Sequence, residues 1–353
     1  MSCRWARFWA CWARACSCGC CIGGPPVVRS VVRSVARPLI WLGLALALAS
    51  ASYLFWGLSG PRWSFVLGLR AVKLAGMLLV GAAVAVATVL FQTLSRNRIL
   101  TPQIMGFDAL YLLLQTLLVA GLGVTGFASL GSPARFGLEV VAMIALALVL
   151  FGLLLGRAGQ DKGAQDIPRL ILTGVILGVL FRSLTGLVAR VLDPNAYAVV
   201  QQAGFASFAR VDATLLPLAA ALVLGCIALA LRLGPALDVL ALGRPMALSL
   251  GLAHDRLLRL VLALVAALVA TSTALVGPLA FLGLIVAGFA HLLSPAPRHR
   301  VLLPVAMLLG ALLLVAGQTL FERALGLQSA LSVVIEGVGG LFFLWLLLKG
   351  KLR

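Results

Sequence analysis

Two charged residues lie inside otherwise apolar runs: Arg182, in FRSLTG, and Glu336, in SVVIEG. A guanidinium or carboxylate at that depth faces a bundle interior or water, so its chemistry is recognition of an opposite charge or a structural ion pair. The chain holds no GxxxxGK[ST] phosphate-binding loop, no HExxH zinc motif and no GxSxG nucleophile motif. The three histidines are scattered, at 254, 291 and 299. Six of the seven cysteines crowd into MSCRWARFWACWARACSCGCC, where Cys16, Cys18, Cys20 and Cys21 resemble a metal tract. Palmitoylation beside a membrane is a second reading of the same residues. No His or acid joins them, however, and Trp and Arg fill the gaps, so residues 1–37 read as a disordered, low-complexity extension. It lacks the apolar core and cleavage site of a signal peptide. An alternative start codon at one of the valines between 27 and 32 would leave it out; N-terminal sequencing that begins at Met1 would exclude that. Cys226 lies within an apolar run and reads as a packing residue.

The elements that position these residues are set by composition. The 353 residues are 62% hydrophobic and 11% charged, with mean hydropathy +1.13, whereas soluble chains carry about a quarter charged residues. Apolar runs of about 20 residues, enough to cross the hydrocarbon, recur along the chain. The strict alternation of a membrane β-barrel is missing. The expected fold is therefore an all-α polytopic membrane protein. Its spans fall at 38–58, 70–94, 107–128, 136–156, 169–191, 213–233, 257–277, 279–293 (short), 301–320 and 331–348, ten in all. A polar stretch at 193–212 and a loop at 234–257 interrupt them. One domain, 38–350, follows the extension, with a distinct cytoplasmic segment at 236–256.

The net charge is +18, and in a membrane protein its distribution outweighs the total. With the N-terminus inside, twenty Lys and Arg fall in cytoplasmic segments and seven outside, with Arg182 within a span. That bias places both termini, and the stretch SRNRILTP at 95–102, in the cytoplasm. Gly174 and Gly178 form a small-xxx-small face for close helix approach. The segment 236–256 reads as two short helices with turns at Gly243 and Gly251. Leu240, Leu242, Met246, Leu248 and Leu250 give it an apolar surface that calls for a protein partner.

Four stretches in register resemble one family. VGAAVAVATVLFQTLSRNRILTPQIMGFDALYLLLQT (80–116) is similar to the FecCD permeases of iron-siderophore and cobalamin ABC importers, with Gly81, Gln92, Asn97, Pro102 and Gly106 at the matching positions. Asn97-Arg98 replaces the family's commoner Asn-Pro, a variant that resembles a branch of siderophore permeases linked to catecholate-type ligands. LDVLALGRPMALSLGLAHDRLLRL (237–260) resembles the family's coupling segment. GPLAFLGLIVAGFAHLL (277–293) resembles its eighth span, with Ala287 where Pro is common, and SVVIEGVGGLFFLWLLLK (332–349) its last. The resemblance covers roughly 38–350.

The resemblance implies a permease subunit in the bacterial inner membrane that moves ferric siderophore. A separate ABC ATPase would hydrolyse ATP, a second permease chain would pair with this one, and a periplasmic or lipid-anchored binding protein would deliver substrate. It implies ATPase coupling through Leu242, Gly243, Ala247, Leu248, Leu250 and Gly251, and binding-protein docking by Arg70, Lys73 and Arg323. RAVK stands at 70–73 where the family often has RLPR, and Lys lacks the bidentate fork of Arg. Lipid snorkelling is the other reading of these three. Gln92, Asn97, Arg182 and Glu336 are pathway or structural polar residues; Arg182 stands about 13 residues, or ~20 Å, into its span. No cofactor, resident metal or nucleic acid is expected, and with no octahedral ligand cluster the pathway would pass an intact chelate. Heme or cobalamin are alternative cargoes. An ion-coupled secondary transporter is the alternative of another class; it would want a midplane acidic pair, and only Arg182 and Glu336 lie at depth by this reading.

Overall fold

The computed structural model describes residues 26–57, 63–129, 131–158, 166–294, 298–324, 326 and 334–341; the cysteine-rich residues 1–25 and the C-terminal 342–353 lie outside the described residues. Twelve helices are followed in chain order: α1 Pro26–Phe55, α2 Trp63–Ser95, α3 Phe107–Ser129, α4 Ser132–Ala158, α5 Asp166–Ala189, α6 Pro194–Ala203, α7 Leu216–Arg232, α8 Gly234–Ala241, α9 Arg244–Ser249, α10 His254–Val276, α11 Leu282–Leu293 and α12 His299–Thr319. A helical turn at Leu320–Ala324 and a helical stretch over 334–341 follow. No strand occurs among the described residues. Seven helices among them are long and apolar enough to cross a membrane, eight if α7 and its bent continuation α8 count as one.

The core is a pack of α2, α10 and α12, with 83% of the apolar stretch of α2 buried against 6% for α1 and 11% for α5. Hydrophobicity cannot drive helix association in lipid, so close packing of small residues does. The run GAAVAVAT, 81–88, supplies that surface. A Cβ on Gly81 would stand 2.7 Å from the backbone of Gly310 and Ala311, so α2 and α12 meet backbone to backbone. The Gly174/Gly178 face of α5 meets Met105 and Gly106 at the turn before α3.

One expectation changes: the span at 107–128 breaks at Gly123, whose φ of 70° and ψ of 170° interrupt α3. The polar stretch 193–212 holds a short helix: Asp193 caps α6 by accepting from the Ala196 N–H at 2.7 Å, with Pro194 at the first helical position, and α6 packs on α3.

Candidate functional site

At the Arg96 end of the bundle, α7 gives way to α8 with a bend of 63°. α8 stops at Gly243, whose φ of 95° and ψ of 166° suit glycine alone, and α9 runs to the positive-φ Gly251. Leu242, Met246, Leu248 and Leu250 are 50–60% exposed on this hairpin. Leu240, expected on the same apolar surface, is instead buried, and Ala247, which the resemblance placed in the coupling set, is completely buried. They face the chain's own bundle, because α8 lies against α2 and α12 and α9 against α10.

Three elements are tied together beneath this hairpin. Asp238 Oδ1 on α8 accepts from the His299 backbone N–H at 2.8 Å and from the His299 Nδ1 at 2.6 Å. The carboxylate thereby satisfies an orphan N–H at the start of α12, where negative charge is favoured. His299 Nε2 lies 2.7 Å from the Thr93 hydroxyl of α2, which also donates to the Val89 carbonyl at 2.8 Å. His299 is buried. Arg96, with φ 50° at the end of α2, lays its guanidinium over Gly243: a Cβ there would stand 2.7 Å from Nη1.

The stretch after α2 is shaped by side-chain hydrogen bonds and a tight turn. Gln92 is buried and donates to the Arg98 carbonyl at 2.6 Å. Asn97 is exposed, and its Oδ1 accepts from the Ile99 N–H at 3.0 Å in an Asx turn. Pro102 starts a 3-10 turn that Gly106 closes at φ 90°.

At the opposite end, the expected docking cations are occupied differently. Arg70 is buried, and its guanidinium donates to the Leu54, Trp56 and Gly57 carbonyls at 2.7, 3.0 and 3.5 Å. It closes the C-terminus of α1 rather than standing out as a docking residue. Lys73 Nζ lies 3.6 Å from Glu322, which also accepts from Gln318 at 2.6 Å. Arg323 belongs to the helical turn Leu320–Ala324, and its side chain lies outside the described residues.

The intramembrane charges are more numerous than expected. Arg182 is exposed on α5, one turn past Gly178, and Glu336 is half-buried. Both lie within electrostatic reach of Asp108 in the first turn of α3, whose Oδ1 is shielded without a hydrogen-bond partner among the described residues. Sequence reading missed Asp108 because it sits at a span's edge. It also missed Glu139, which is buried and accepts from Arg135 at 2.8 Å and Gln115 at 2.7 Å. The Arg135/Glu139 spacing of four on one helix was the available signal. No group of three or more metal-ligating side chains occurs among the described residues.

A bundle of apolar helices packed on small residues, with a short apolar hairpin at one end, defines a polytopic helical membrane protein. The chain belongs to the FecCD transport family, which its residues 37–349 match. It is 36% identical over 318 residues to the petrobactin import system permease protein YclO of Bacillus subtilis, covering 90% of this chain and 98% of that one. It is 30% identical to the ferric enterobactin transport system permease protein FepD of Escherichia coli, covering 88% and 94%. The vitamin B12 import system permease protein BtuC of Vibrio parahaemolyticus is 31% identical, covering 89% and 94%. The fold is shared with a solved inward-facing metal-chelate type ABC transporter at TM-score 0.74 and 24% identity, covering 89% of this chain and 99% of that one.

Proposed function

We propose that this chain is the translocation subunit of an ATP-driven importer that moves ferric siderophore across the bacterial inner membrane. The observation that carries the reading is the α8–α9 hairpin. Its four exposed apolar side chains lie on a segment too short to span a bilayer and so call for a protein partner. That partner is a separate ABC ATPase, gripping the hairpin through Leu242, Leu248 and Leu250, with Gly243 and Gly251 setting its turns and buried Ala247 anchoring it. Relatives named for petrobactin, ferric dicitrate and enterobactin support the ferric-chelate cargo.

The chain crosses the membrane ten times with both termini in the cytoplasm, as the Lys and Arg bias supports. A second permease chain covers part of the exposed apolar faces. A periplasmic or lipid-anchored binding protein docks at the Lys73 and Arg323 end. ATP binding and hydrolysis on the partner move the hairpin and open the pathway in alternation; this chain needs no cofactor of its own. Cobalamin is the second cargo, favoured by the cobalamin permeases among the relatives.

The test is uptake of radiolabelled cargo by cells that lack this chain and cells in which it is restored, with iron-55-labelled ferric siderophores, ferric dicitrate and heme, and cobalt-labelled cobalamin, offered separately. Restored uptake of one ferric chelate supports the reading and names the cargo. Restored cobalamin uptake alone moves the chain to the second cargo, and no restoration of any overturns the importer reading.

A further inference from the structure

We propose that the Asp238–His299–Thr93 chain is the fastening that passes movement of the α8–α9 hairpin to α2 and α12, with His299 as its positioning residue. This rests on the importer reading above. α8 has only eight residues, and its apolar hold on the bundle, through Leu237 and Leu240, is non-directional. A load carried from the hairpin into the spans needs contacts with direction. Asp238 Oδ1 takes two hydrogen bonds from one residue, His299, which begins α12. The far nitrogen of the same ring reaches Thr93, half a turn from the end of α2. One buried side chain therefore holds three elements.

The chain stays made whichever protons the ring carries. A carboxylate only accepts, so Nδ1 bears a hydrogen. A hydroxyl both donates and accepts. A neutral ring therefore accepts from Thr93, while a charged ring donates to it and the hydroxyl keeps the Val89 carbonyl. Arg96, at the end of α2, lies against the turn at Gly243. Beyond the fastening, α2 and α12 have no side-chain slack at Gly81 and Gly310, so displacement at one end is carried along both.

The experiment uses the full complex of this chain with its partner permease, ATPase and binding protein. Uptake is measured in proteoliposomes and ATP hydrolysis in nanodiscs, with ferric petrobactin, ferric dicitrate, heme and cobalamin as probes. Thr93→Val and Asp238→Ala are expected to keep binding-protein-stimulated ATP hydrolysis while uptake per ATP falls about fivefold or more. Thr93→Ser and Asp238→Asn, which keep the hydrogen-bonding atoms, retain wild-type coupling. Wild-type uptake per ATP in both disrupting variants overturns the proposal alone. So does a parallel fall of hydrolysis and uptake, which marks the contacts as structural. A wild-type complex that moves none of the probes overturns the importer reading beneath it.

Discussion

Replacing Gly243 by alanine separates two physical costs at the hairpin turn. The first is backbone strain: φ 95° with ψ 166° lies in a region essentially reserved for glycine, and holding another residue there costs about 1–3 kcal/mol. The second is the clash of the new Cβ with Arg96 Nη1, 2.7 Å away. That atom is the far end of a flexible side chain, so a rotamer change relieves the clash for about 0.5–1.5 kcal/mol. Strain therefore dominates. The free hairpin relaxes by rotating α9 against α8, and binding the ATPase must restore the turn. The cost then appears as affinity weakened about 5–150-fold. The assay is the dissociation constant of purified ATPase for the permease in nanodiscs. Gly243→Ala should weaken binding, and adding Arg96→Ala should not restore it. Wild-type affinity in Gly243→Ala would refute the strain argument, and recovery in the double variant would mean the clash is what matters.

Other substitutions test the packing and the buried charges. Gly310→Ala drives a methyl into the backbone of Gly81 and should cost about 1–3 kcal/mol in thermal unfolding in detergent, while Gly43→Ala, which lies inside α1 and meets nothing within 4 Å, should stabilise by up to about 1 kcal/mol. Arg135→Met strands the buried Glu139 carboxylate and should destabilise by about 3–5 kcal/mol; Arg135→Met with Glu139→Leu should recover most of that loss. Arg70→Met removes charged hydrogen bonds from the end of α1, each worth about 1.5–3 kcal/mol, and should lower the unfolding temperature without weakening binding-protein affinity.

Much of the architecture was legible because lipid imposes it: long apolar runs, the glycine-rich α2 and the punctuation at Gly243 and Gly251 all follow from local composition. Contacts between distant residues were not. Nothing in the sequence around Asp238 points to His299, 61 positions away, and the three histidines read as scattered although one of them ties three helices. Arg70 read as a docking cation from its place at the mouth of a span and from the family resemblance; in the fold it meets the carbonyls at the end of α1, a need created only when the helices meet. Leu240 read as part of an exposed apolar face because a short hairpin's pattern does not reveal which side meets its own bundle. Asp108 gains its meaning from Arg182 and Glu336, which arrive from other helices.

The decisive measurement is uptake of iron-55-labelled siderophore into proteoliposomes that hold this chain, its partner permease and the ATPase, with the binding protein on the outer side. An importer permease predicts uptake that requires both ATP and the binding protein and that ignores imposed ion gradients. Uptake that ignores ATP and follows a proton or sodium gradient would contradict it, and Asp108, Arg182 and Glu336 would then be the groups that carry the coupling.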